Sequence, residues 1–110
     1  MRGREVIKRY KAGERDFSRV SMHAVDLEGV DLQGADLSWV LLRRSNLRET
    51  NLEGVNLMGG DLLGADLHEA NLKEADLRGA NLYDANVTTA QLAQAASIKG
   101  AIMPDGTRHE

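Results

Sequence analysis

No cysteine occurs in the 110 residues, so disulfides, thiolate zinc sites and catalytic thiols are all excluded. Aromatic residues are nearly as scarce, at 4% against 42% hydrophobic, so any core must be aliphatic. Leucine supplies 15 of its candidates. No run of about 18 apolar residues is present, and none follows the charged start Met1-Arg2-Gly3-Arg4-Glu5. The expectation is a soluble, cytoplasmic protein that touches no membrane. There is no basic excess either: 14 Lys and Arg face 17 Asp and Glu, a net charge of -3, so no general field holds a phosphate backbone and direct nucleic-acid binding is not expected. The length fits one domain built around one core.

Leucines recur every fifth position from Leu27 to Leu82, and Phe17, Met22, Val87 and Leu92 extend the same frame to 16 quintets over residues 15–94. Thirteen of the 16 central residues are Leu, and 13 of the residues just before them are Asp or Asn; Ser21, Leu41 and Gln91 are the exceptions. One position earlier the residue is Ala, Val, Ser, Thr or Gly in every quintet except the first, which has Arg15.

That period excludes both ordinary regular structures. On a helix, five steps of about 100° would place successive leucines about 140° apart, leaving no apolar face. In a continuous strand, alternate leucines would point to opposite faces, and a one-sided core would lose half of them. The chain must bend once per quintet. A short extended side and a corner in each quintet let the central residue and the small residue two before it share the interior, where a second large side chain would overpack.

The runs Ala65-Asp66-Leu67, Ala70-Asn71-Leu72, Ala75-Asp76-Leu77 and Ala80-Asn81-Leu82 resemble the A-[DN]-L-x-x pattern of the pentapeptide-repeat family over about 80 contiguous residues. The resemblance implies an all-β fold: a right-handed quadrilateral parallel β-helix with four quintets, or 20 residues, per coil. Sixteen quintets then make four coils, roughly 20 Å long at about 4.8 Å per coil. In this frame Phe17, Leu37, Leu57 and Leu77 stack on one side of the core, Leu42, Leu62 and Leu82 on the next, Leu47 and Leu67 on the third, and Leu52 and Leu72 on the fourth.

Solenoids need their ends covered. Residues 1–14 read as an N-terminal capping helix: Arg4 to Ala12 places Val6, Ile7 and Tyr10 on one face, with Gly13 as its left-handed terminus. A membrane contact by this basic helix is the weaker reading, because three apolar residues make a poor anchor. Residues 95–110 read as a degenerate last half coil, shifted one residue by Ala95, then a turn at Pro104-Asp105-Gly106 and a tail. Whether residues 88–96 are coil or helix is left open. The thinly covered C-terminal end, with Ile98, Ile102 and Met103, is the expected contact of a homodimer.

No catalytic or metal constellation emerges. The frame separates His23 from His68, and His109 lies in the tail, so no histidines share a site. The repeated carboxylates occupy the position before each centre, where Asx side chains bond turn backbone. Ser18, Ser21 and Ser38 have no His with an orienting acid beside them, and Gly29, Gly34, Gly54, Gly59, Gly64 and Gly79 fall at corners rather than in a phosphate loop. Neither an enzyme nor a cofactor is expected.

Surface pattern remains. The third side carries Asp26, Glu28, Glu49, Asp66 and Glu69 against Arg48, and the fourth Asp31, Glu53 and Glu74 against Lys73, a joint charge of -6 by eight acids and two bases. The first two sides are near neutral and hold Trp39, Leu41, Met58, Leu63 and Tyr83 with Arg43 and Arg44. That mixture is typical of an interface core, so the leading expectation is a non-catalytic scaffold or protein-protein interaction module using these residues. The resemblance supplies the alternative, an acidic mimic of duplex DNA that binds a type II topoisomerase such as DNA gyrase through Asp26, Glu28, Glu49, Glu53, Asp66 and Glu69.

Overall fold

A computed structural model describes residues 1–110. The quintet is a turn first and a strand second. In quintet after quintet the Asp or Asn before the centre accepts, through Oδ1, from the backbone N–H two residues on, as in Asp26 to Glu28 (3.0 Å), Asn56 to Met58 (3.0 Å) and Asp66 to His68 (3.1 Å). The small residue that opens the next quintet then donates to the central carbonyl, closing a turn such as Val30 N to Leu27 O at 3.1 Å. The second residue after every centre from Phe17 to Leu82 has a positive φ, between 55° and 72°. Glycine takes this corner freely, whereas the eight other residues that occupy it, Trp39 among them, carry a strain of order 1 kcal/mol each.

Between corners each side is too short for a multi-residue strand, so coils are joined by single parallel bridges. These pair residues 20 apart: Asp16 with Asp36, Asp36 with Asn56, and Asn56 with Asp76 on one side, with matching columns on the other three. Three hydrogen bonds recur per side, for example Leu37 N to Asn56 O (2.7 Å), Asn56 N to Ala35 O (3.0 Å) and Trp39 N to Met58 O (2.9 Å). Four bends per turn and a 20-residue rise thus define the coil.

The core is the stack of central residues. Phe17, Leu37, Leu57, Leu77, Leu42, Leu62, Leu82, Leu47, Leu67, Leu52 and Leu72 are all buried, as are the small Ala35, Val40, Val55, Ala65 and Ala75 beside them. Ser45 and Thr50 are buried at the small position too, and each hydroxyl reaches back to the preceding coil, Ser45 to Met22 O (3.1 Å) and Thr50 to Leu27 O (2.8 Å). No buried side-chain N or O is left without a partner.

The N-terminal end is covered by helix α1, Gly3–Lys11. Val6 is fully buried and Ile7 and Tyr10 pack on the core. Gly3 allows this close seat, since a Cβ there would lie 2.9 Å from Asp26 O. The helix ends in a Schellman motif: Glu14 N donates to Arg9 O and Gly13 N to Tyr10 O, both at 3.0 Å, with Gly13 at φ 100°.

The fourth coil departs from the repeat. A second helix, α2, spans Thr89–Ala93, which answers the question left open for residues 88–96. Thr88 and Gln91 form a reciprocal capping box, and Gln91 Nε2 also donates to Leu67 O (2.8 Å) and Ala70 O (3.0 Å), so a side-chain amide does the work of the missing rung. The coil absorbs one extra residue: Asp76 bridges Ser97 and Asn81 bridges Ile102, each 21 on. Beyond it the tail turns back. Arg108 bridges Ile102 in antiparallel sense, His109 N donates to Ala101 O (2.8 Å), and Gly100 N donates to His109 O (2.6 Å).

Candidate interaction surface

Trp39 sits at a corner with its indole laid flat over the next coil. A Cβ on Gly59 would come within 2.4 Å of the ring, so only glycine 20 residues on permits the stack. Arg19, one coil earlier in the same column, holds its guanidinium 5.9 Å from the ring centroid, a cation–π distance. Half of Trp39 nevertheless stays exposed, at 49%. Leu41 follows on the second side of the same coil, also exposed, at a position that is Asp or Asn in 13 of the 16 quintets. Met58 is half-buried, immediately before Gly59.

Arg43 is tied down by Asp61, Nε to Oδ2 at 2.5 Å, and the Arg44 stem lies against Gly64. Leu63 is half-buried and Tyr83, half exposed, leans on Gly106 of the tail. The apolar residues therefore fall at two levels: Trp39, Leu41 and Met58 around the second and third coils, and Tyr83 one coil further, where the tail meets the body. The sequence frame assigns them to adjoining sides; the glycines at 59, 64 and 106 that support the large side chains are the feature it did not bring out. A 20-residue register would have paired Trp39 with Gly59 and Arg44 with Gly64.

On the third and fourth sides the carboxylates are partly engaged. Asn46 Nδ2 donates to Asp26 (3.2 Å) and Glu28 (3.0 Å), Asn71 Nδ2 to Glu53 (3.5 Å), and Arg48 pairs with Asp66 at 3.2 Å. Burial pushes the Asp66 carboxyl upward, but hydrogen bonds from His68 N, Arg48 and Asn86 together carry it below the usual carboxylate value. Glu49 and Glu69 stand exposed at corners, the latter 3.6 Å from His68 Nε2. On the first side the Arg78 guanidinium grips Asp76, which lowers the Asp76 pKa against the opposing effect of burial.

His23, His68 and His109 do not converge, and no three His or carboxylate side chains gather as metal ligands. Ile98 and Met103 are half-buried at the C-terminal end, and Ile102 is half-buried between the body and Arg108. No helix is long and apolar enough to cross a membrane.

The comparisons bear on this geometry directly. The family model described as pentapeptide repeats matches in eight copies over residues 16–38, 21–59, 35–73 and 61–95. A pentapeptide repeat protein from the Arabidopsis thaliana thylakoid lumen is 40% identical over 71% of this chain and 53% of its own, with a TM-score of 0.63. HetL, a pentapeptide repeat protein involved in heterocyst differentiation regulation in the cyanobacterium Nostoc, is 36% identical over 86% of this chain and 51% of its own, with a TM-score of 0.48. This chain thus spans about half the length of both. No curated protein matches. With its repeats matched from residue 16 to 95 and its coils closed by 20-residue bridges, the chain belongs to the pentapeptide-repeat family, whose members are structural repeat scaffolds.

Proposed function

We propose that this chain is a non-catalytic binding module, a right-handed quadrilateral β-helix that presents the Trp39 corner to a protein partner. The observation that carries the reading is Trp39 itself: a large aromatic held at φ 57°, where glycine is the relaxed choice, with its ring stacked on Gly59, the Arg19 guanidinium over it and half of its surface in solvent. Backbone strain spent to display an aromatic ring is the pattern of a contact residue. Leu41 adds an apolar group where the repeat uses Asp or Asn, and Arg19 and Arg43 supply polar edges around it.

The DNA-mimic reading is less well supported. Asp66 is neutralised by Arg48, and Asp26 and Asp66 hold the Asx position that the repeat itself requires, whereas Trp39 and Leu41 depart from its residue preferences. The deciding experiment compares affinity capture by the wild type, by Trp39→Ala with Leu41→Asp, and by Glu28→Lys with Glu49→Lys and Glu69→Lys, with gyrase supercoiling measured alongside. Loss of the captured protein only in the Trp39 variant supports the module. Gyrase inhibition that disappears only in the charge-reversed variant sinks it in favour of mimicry.

A further inference from the structure

Charge is distributed unevenly along the rod. Residues 1–15 hold six Lys and Arg against two acids, a net of +4, and the remaining residues hold eight against 15, a net of -7. Helix α1 carries most of the positive end. Because Val6 is buried and Ile7 and Tyr10 pack on the first coil, the apolar stripe of the helix faces inward and its cations face out across the end of the molecule. Arg2, Arg4, Lys8, Lys11 and Arg15 are exposed and pair with no carboxylate, while Arg9 is 3.7 Å from Glu14.

The third and fourth sides are the opposite surface. Glu28, Asp31, Glu49 and Glu74 are exposed, and none of them, nor Glu53, forms an ion pair. Plate and wall adjoin within one chain only at the first coil, where Lys11 and Arg15 line a hollow with Asp31; Glu49, Glu53 and Glu74 belong to later coils and lie further along the rod. We propose that the α1 plate of one copy docks on the acidic third and fourth sides of a second copy.

Charge complementarity selects this occupant over an anionic membrane. Stable attachment to lipid calls for an apolar anchor besides the cations, and the apolar residues of α1 are engaged by the body: Val6 is buried, and Ile7 and Tyr10 are half-buried against the core. The size of the plate sets the strength. Even the whole 23 × 23 Å cross-section of the rod amounts to roughly 500 Å² per partner, below the area of a standard stable interface, so the association is transient and governed by salt. Plate and wall are different surfaces, so the contact is heterologous and each copy keeps a free plate or wall for a further one until the set closes.

Sedimentation velocity of the full chain at about 20 mM and about 300 mM NaCl tests this, since the screening length shortens several-fold between them. The sedimentation coefficient should climb with protein concentration at low salt only. Lys8→Glu with Lys11→Glu brings the plate to neutral, and Glu28→Lys with Glu49→Lys and Glu53→Lys does the same to the wall. Each variant alone should associate at least about tenfold more weakly, and mixing the two should restore association, because one retains the wall and the other the plate. Unchanged melting temperatures establish that both variants fold. A monomer at low salt at every concentration overturns the proposal, and so does a mixture that stays monomeric. Association that survives high salt and is lost in Ile98→Asp assigns the contact to the C-terminal coil instead. Flotation of the wild type with phosphatidylserine vesicles, lost in the plate variant, without any self-association, assigns the plate to lipid and equally overturns the proposal.

Discussion

The two ends of the rod meet the same demand in opposite ways. At the N-terminal end a nine-residue helix lies across the first coil, buries Val6, and finishes in a full Schellman motif. At the C-terminal end there is no covering helix; the tail pairs in antiparallel sense with residues 100–102, and α2 replaces one side of the last coil. Val87, Ile98 and Met103 stay half-exposed there; unpaired backbone N–H groups occur at both ends, at Val87 and Ile98 here and at Asp16, Ser21, Asp26 and Asp31 in the first coil. A helix satisfies its own backbone, so it covers the apolar core by side-chain contact while the outer N–H groups of the first coil face solvent. A strand protects only the rungs it touches.

The sharpest way to break this comparison is to remove core volume at different heights. Leu57→Ala, in the middle of a column between Leu37 and Leu77, should cost about 2 to 5 kcal/mol in denaturant titration, whereas Ile98→Ala, at the half-open end, should cost about 1 kcal/mol. Equal losses would mean that the ends are packed as tightly as the centre. Next comes the seat of α1: in Gly3→Ala the new Cβ would meet Asp26 O at 2.9 Å and Leu27 Cδ2 at 3.3 Å, and overpacking of about 1 to 3 kcal/mol should outweigh the gain in helix propensity. A neutral result would show that the helix can lift without cost.

Smaller still is the cap of α2. Thr88→Ala should lower stability by about 1 kcal/mol, seen as a drop in melting temperature. The smallest effect expected is acidic. Asp16, Asp66, Asp76 and Asp105 all have folded pKa values lowered from 3.8, so the unfolded chain binds more protons; their stabilisation is complete at neutral pH and fades as pH falls below that value. The Asp105 carboxylate holds Thr107 N (3.0 Å) and Oγ1 (2.7 Å) at the tail turn, so hydrogen exchange near pH 3 should open the tail before α1. Simultaneous opening would erase the distinction between the ends.

How much of this could be read beforehand depended on range. The quintet frame, the Asx turns and the left-handed helix terminus at Gly13 are local or strictly periodic, and residue types alone revealed them. The α2 helix was harder: five residues carry no amphipathic stripe, and the usable sign was the Thr88-x-x-Gln91 capping box. The antiparallel return of Arg108 and His109 onto residues 100–102 had no counterpart in the repeat. Trp39 stood out as an anomaly at once, but its support by Gly59 and Arg19 required stacking the coils in register.

The column of corners at Arg19, Trp39, Gly59, Gly79 and Gly100 has one more consequence. Each coil bonds only to its neighbours, and every corner takes nearly the same backbone conformation, so the column is graduated like a rule, with marks about 4.8 Å apart. An engineered copy with 20 residues duplicated between Gly59 and Gly79 would lengthen the scale by one mark and leave the rest of its geometry unchanged. Two chemical groups placed on such marks could be set at chosen separations in steps of a single coil, a resolution that flexible linkers cannot offer.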